Sequence, residues 1–150
     1  MYKIVSPKTR EEYKAYYDLR YKVLRETWGL QKGTEKDDYE PISKHFMAVD
    51  EKTGEIVGVI KLMEKEPGVG WFSHMAVSTT HQHQGIGKLL LCFVQEEAFR
   101  EGYKILGCQA RLNTTAFFEK AGYRINGLPS HYIGTTQVVW MEKLLTEEKK

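Results

Sequence analysis

The stretch Met75-Ala76-Val77-Ser-Thr-Thr-His81-Gln82-His83-Gln84-Gly85-Ile86-Gly87-Lys88 sets a short apolar run against a turn containing two glycines. Gly85 and Gly87 have no side chain to hold a ligand off, so backbone N–H groups there can close on a diphosphate at the positive end of a following helix. That is the chemistry of a site for a phosphate-bearing, nucleotide-like cofactor. Two commoner phosphate sites do not fit: Gly-x-x-x-x-Gly-Lys-Ser/Thr is absent, and a dinucleotide fingerprint needs three glycines near an N-terminal strand with an acidic ribose partner. Just upstream, His74 titrates in a range that suits a general base. Strict alternation sets Phe72, His74 and Ala76 on one strand face and Trp71, Ser73, Met75 and Val77 on the other, where His74 would serve equally as a packed residue. Glu64 and Glu66, near the end of the preceding strand, are reserve bases acting through water. His81 and His83 have no acidic or thiol neighbours, so no metal is expected. Cys92 and Cys108 lack the spacing of a zinc site or disulfide and read as buried thiols.

The elements that must position these residues follow from pattern. Tyr2 to Val5 reads as a strand, and Thr9 with Glu12 forms a capping box ahead of a helix through Tyr13, Tyr16, Tyr17, Arg20, Val23 and Leu24. Gln31 to Ser43 is a loop, and His45 to Asp50 and Glu55 to Lys65 form a hairpin about Gly54. Trp71 to Val77 is the strand that enters the glycine turn. The next helix carries Ile86, Leu89, Leu90, Phe93, Val94 and Ala98 on its apolar face and ends at Gly102. Tyr103 to Ala110 is a strand, Asn113 caps a short helix through Ala121 with Gly122 just past its end, and Val138 to Leu144 is a final strand.

The expected fold is mixed α/β in a single domain over residues 1–150, since 150 residues with 41% hydrophobic content suffice for one core and little beyond it. Twenty-two basic against 20 acidic residues leave a net charge of +2 spread along the chain, with no footprint for nucleic acid. No apolar segment approaches membrane-spanning length, and the first residues lack the apolar core of a signal peptide, so a cytoplasmic protein with no membrane partner is expected.

Gln82-x-x-Gly85-x-Gly87 after a strand, followed by Asn113 and Ala116-Phe-Phe-Glu-Lys-Ala-Gly-Tyr123, resembles the GNAT superfamily of acyl-CoA-dependent N-acyltransferases. The resemblance is specific from about Trp71 to Tyr123. It implies a mostly antiparallel central sheet flanked by helices, with a splayed pair of strands forming the acyl-CoA site. It also implies acetyl-CoA as cosubstrate, without metal. Backbone groups of Met75, Ala76 and Val77 would run along the acyl group and pantetheine, and Gln82, His83, Gln84, Gly85, Ile86, Gly87 and Lys88 would enclose the pyrophosphate. Asn113 and Phe117 would meet the pantetheine, and Lys120 or Arg111 a cofactor phosphate.

Acyl transfer to an amine needs a proton removed from the ammonium and, in many cases, one supplied to the departing thiolate. His74 is the first choice as base. The family often places a tyrosine acid at the position that Phe118 occupies here, and phenylalanine has no proton to give. Tyr132, in a late loop, is the remaining candidate acid, and Tyr123 reads as packed. The acceptor is expected to be a small-molecule amine first and a peptide amine second, attacking directly in a ternary complex. Tyr16, Tyr17, Tyr21 and Trp28 are candidate walls for its pocket. A non-catalytic acyl-CoA-binding module is the alternative that the missing tyrosine favours, and a homodimer is the assembly common among folds of this resemblance.

Overall fold

The computed structural model describes residues 1–133 and 136–145, with the side chains of Tyr132 and Ile133 outside the description. Strand β1 (Tyr2–Val5) leads into helix α1 (Arg10–Leu24). The capping box closes as its residue types require: Glu12 N–H donates to Thr9 Oγ1 at 3.0 Å and Thr9 N–H to Glu12 Oε1 at 3.2 Å. After α1 a short 3₁₀ turn at Glu26–Trp28 ends on Gly29 with φ +72°. Strands β2 (Lys44–Asp50), β3 (Ile56–Glu66) and β4 (Val69–Val77) form an antiparallel meander, and helix α2 (Ile86–Arg100) follows. Strand β5 (Ile105–Arg111), helix α3 (Thr115–Lys120), β6 (Arg124–Ile125), β7 (Tyr132–Ile133) and β8 (Thr136–Leu144) complete the order.

Seven strands lie side by side as β1-β2-β3-β4-β5-β8-β6, with β7 paired separately to β8. Every neighbouring pair is antiparallel except β4 with β5. This is the mostly antiparallel, helix-flanked sheet that the resemblance implies. Helix α2 buries Ile86, Leu90, Leu91, Val94 and Ala98 against one face, together with Phe72, Leu106, Cys108, Ala110 and Phe118. Helix α1 covers the other face, where Tyr16 packs with Met47, Val59 and Ala76.

Four expectations change. Phe72 and Ala76 face opposite sides of the sheet, because β4 carries a bulge: Val59 pairs with Ala76 and Lys61 with Ser73, so two residues, His74 and Met75, stand opposite Ile60 alone. Leu89 is exposed and Leu91 takes its place in the core. Asn113 lies inside a 3₁₀ turn, Leu112–Thr114, and Thr114 occupies the N-cap position of α3 without a side-chain bond. Cys92 is exposed, whereas Cys108 is buried, and burial pushes its thiol up to about 12.

The loop 31–43 holds what its polar sequence concealed. Arg20 donates to Glu40 at 2.8 Å and Lys61 to Asp37 at 2.6 Å and Glu40 at 3.1 Å, with Arg20 and Lys61 almost wholly buried. Tyr17 OH also donates to Glu40, and Tyr16 OH meets His45 Nδ1 at 2.8 Å. Burial opposes ionisation of Glu40, yet the Asp37 N–H, Arg20 and Lys61 hold its carboxyl down at about 2. The network ties the loop to α1 and β3.

Candidate active site

The parallel pairing of β4 with β5 covers Val69–Trp71 against Ile105–Gly107 and goes no further, although β4 continues to Val77 and β5 to Arg111. Past Trp71, the β4 backbone groups on the β5 side therefore have no strand partner among the described residues, the condition under which an extended, amide-bearing chain can add to a strand edge. Met75 and Val77 pack their side chains on the α2-side core, which leaves their backbones to line this cleft.

At the end of β4 the chain turns into α2. Gly85 caps the helix with φ +83° and His83 stands at φ +66°, so two left-handed residues shape the turn. The first helical bond runs from Leu89 N–H to Gly85 C=O at 3.0 Å, leaving the amides of Ile86, Gly87 and Lys88 without a helical acceptor. Amides so placed, with the helix dipole behind them, are able to receive an anion. Two side chains brace the turn: Gln82 Nε2 donates to Val77 C=O at 3.2 Å, and Tyr2 OH donates to Gln84 Oε1 at 2.6 Å. Gln82 and Gln84 thus hold the loop's shape. Ile86 is a core side chain, so only its backbone faces the turn.

The second motif meets the first at Gly87. A Cβ there would lie 3.8 Å from Phe117 and 3.9 Å from Val77, so α3 places Phe117 over the start of α2, with its ring 41% exposed. Asn113 and Lys120 are exposed, and Lys120 ends α3. Phe118 packs on Phe72, Phe117 and Tyr123, and Tyr123 OH donates to Gln95 at 2.9 Å, which makes it a packed residue as its position suggested.

His74 sits in the bulge at φ +55°, a left-handed conformation that histidine tolerates better than most residues. Its Nδ1 is 3.2 Å from Ser73 Oγ. Burial first, and then the charges of Arg20, Lys61 and Arg25, hold its imidazole down at about 3 against the opposing pull of Glu40, so the ring is neutral at physiological pH. A base this weak keeps a proton only transiently. Glu64 and Glu66 are exposed at the far end of β3, and Glu64 accepts the Gly68 N–H. The backbone of Tyr132 pairs with Gln137, while its side chain lies outside the described residues.

Among the aromatic residues expected as pocket walls, Tyr16 is wholly buried and Tyr21 donates to Leu30 C=O. Trp28 is half-open beneath Arg111, whose guanidinium carbon is 5.4 Å from the ring centroid. Arg111 therefore extends on the α1 side, away from the α2 turn. Sequence reasoning missed two residues of this face, Trp71 and Gln109, whose buried Nε1 and Oε1 have no hydrogen-bond partner among the described residues.

The family model of the acetyltransferase (GNAT) domain matches residues 41–125, which span the hairpin, the cleft strands, the glycine turn and α3. The chain belongs to the GNAT acetyltransferase family. It is similar in fold to a candidate N-acetyltransferase from Lactobacillus plantarum, at 23% identity and a TM-score of 0.85 over 97% of this chain and 99% of that one. A Bacillus subtilis acetyltransferase in complex with CoA matches at 19% identity and a TM-score of 0.75, covering 97% of this chain and all of the other. An aminoglycoside 6'-N-acetyltransferase complexed with coenzyme A matches at 18% and 0.76, over 100% and 99% of the two chains. Among the described residues no helix is long and apolar enough to cross a membrane.

Proposed function

We propose that the protein transfers an acetyl group from acetyl-CoA to a primary amine, by direct attack within a ternary complex. The observation that carries this is one continuous path: a β4 edge without a partner beyond Trp71 runs into a turn whose amides at Ile86, Gly87 and Lys88 have no helical acceptor. The edge suits the amides of pantetheine, and the turn suits a pyrophosphate. Family membership and the CoA complexes of fold neighbours support the same donor.

In this reading the bulge at His74 and Met75 turns β4 backbone groups toward the thioester carbonyl, where an N–H would stabilise developing negative charge. The amine lone pair forms the new C–N bond, the C–S bond breaks, and the sulfur leaves as thiolate. His74 accepts a hydrogen bond from the incoming amine. The burial and the cations that keep its ring neutral also disfavour an ammonium beside it, so the acceptor reacts as the free amine and its surplus proton passes to solvent. Tyr132 is the proposed donor to the thiolate, in place of the hydroxyl that Phe118 lacks. A CoA thiol is also a tolerable leaving group without such help, its thiolate being a weak base. Orientation in the cleft then supplies most of the acceleration.

Acceptor-dependent appearance of free CoA tests the reading against the alternative of a non-catalytic acyl-CoA-binding module. Release that requires both acetyl-CoA and an amine supports catalysis. CoA binding without release from any amine in a broad panel sinks it and leaves the module. A thiol-reactive dye must be corrected for Cys92, which is exposed and should react quickly, whereas Cys108 should react only on unfolding.

A further inference from the structure

The sheet face under α1 carries charge and unpaired polar atoms that the donor site does not use. On β5, Leu106, Cys108 and Ala110 fill the α2-side core, so Gly107, Gln109 and Arg111 alternate onto the α1 side. Trp71, in register with Gly107 and in ring contact with Tyr39, shares that side. Here the indole Nε1 of Trp71 and the Oε1 of Gln109 are buried without partners among the described residues, a state that is unfavourable until something supplies the missing bond.

Two guanidiniums belong to the same side of the sheet, Arg111 two residues along β5 from Gln109 and Arg25 at the end of α1. The Arg111 guanidinium lies over Trp28 and makes no ion pair or hydrogen bond among the described residues. Arg25 donates Nε–H to Thr34 C=O at 3.0 Å and an Nη1–H to Leu24 C=O at 3.0 Å, both neutral acceptors. Arg20 and Lys61, by contrast, are already matched to Glu40 and Asp37. Burial, and then the charges of Arg111 and Arg20, depress the pKa of Arg25, with Glu35 and Asp37 opposing, and burial depresses that of Arg111.

We propose that the acceptor carries, besides its amine, an anionic oxygen group, a carboxylate or phosphate, which Arg111 receives with Arg25 in support while Gln109 Oε1 accepts from the amine N–H. Gln109 and Arg111 are two residues apart on one strand face, about 7 Å along the chain, so one short molecule can reach both. A planar, always-charged fork over an aromatic ring is well suited to either oxyanion. A carboxylate's single charge leaves the Arg25–Arg111 pair net positive, and a phosphate monoester, at about −1.5 to −2, neutralises the pair without reversing its sign. The inference rests on the acyltransferase reading and narrows its acceptor.

The test is calorimetric titration with CoA present, using matched probes: phenylalanine, phenylalaninamide and phenethylamine in one set, phosphoethanolamine and ethanolamine in the other. Wild type, Arg111→Gln and Arg111→Lys are compared. The member bearing the carboxylate or phosphate in at least one set should bind about ten- to a hundredfold more tightly than its counterparts that lack it, and the set that discriminates identifies the oxyanion. That ratio should collapse in Arg111→Gln and recover in part in Arg111→Lys, with CoA affinity equal in all three. No binding by any probe, equal binding of members with and without the oxyanion, or an equal loss across all probes in Arg111→Gln overturns the proposal. CoA affinity is read in the same samples. If CoA binds and anion discrimination is missing, only this inference fails, and if CoA does not bind, the acyltransferase reading fails with it.

Discussion

His74 was legible in the sequence as a titratable residue in the strand that enters the glycine turn, but its state was not. A bulge is a property of two strands in register, and β3 contributes half of it, so alternation along β4 alone set Phe72 and Ala76 on one face that the structure divides between two. The pKa is likewise set first by burial and then by Arg20, Lys61 and Arg25, residues remote in sequence. Its consequence for stability has a definite sign. The native imidazole binds a proton more weakly than the unfolded one, so as pH falls below about 6.5 the unfolded chain protonates first and stability is lost toward pH 3, at up to about 1.4 kcal/mol per pH unit. His45, depressed mainly by burial, adds to the wild-type slope. His74→Asn keeps a residue type at home in the left-handed conformation and removes the titration. Urea midpoints at pH 7, 6 and 5 should fall less steeply in the variant than in wild type, and parallel curves would show that His74 is not held neutral.

At the scale of elements, the strands β1 to β5 and β8, the capping box of α1, the hairpin about Gly54 and the glycine stops at Gly102 and Gly122 were readable, because each depends on neighbours within a few residues, whereas the two-residue strands β6 and β7 were not. The loop 31–43 was not. Its carboxylates read as solvated polar residues, whereas Glu40 neutralises two buried cations that arrive from α1 and β3. Removing its charge while Arg20 and Lys61 remain buried should cost about 3–5 kcal/mol, so Glu40→Gln is expected to lower the urea midpoint far more than a surface substitution such as Glu11→Gln. Equal effects would show that the network is not buried in solution. Gly107 marks a second requirement: a Cβ there would come within 2.2 Å of Trp140 and 2.7 Å of the Met141 carbonyl oxygen. Gly107→Ala should lose about 1–3 kcal/mol by overpacking, with each kcal/mol lowering Tm by about 2–4 °C in a chain of this length. Gly87→Ala, whose Cβ meets only ordinary contacts at 3.8 Å and 3.9 Å, should leave Tm unchanged in the same calorimetric scans.

For the whole molecule, two motifs about thirty residues apart in sequence meet where Phe117 overhangs Gly87, and the sheet splays beside them. The family that the motifs resemble implied that both border one cofactor, though not this contact, and the matched domain model over residues 41–125 establishes that family. The proposed acceptor face was largely illegible, since Trp71, Gln109, Arg25 and Arg111 come from separate segments and signal nothing by their spacing. The account rests on the turn at Gly85 to Lys88 as an anion site for CoA. Calorimetric titration of CoA into wild type, Gly87→Ala and Gly87→Glu, with Tm measured on each, tests that most directly. Saturable binding by wild type and Gly87→Ala, lost in a Gly87→Glu variant that still melts cooperatively, is the predicted result, because a carboxylate at the helix start would repel the pyrophosphate. Absence of binding in wild type, or undiminished binding in folded Gly87→Glu, would contradict it.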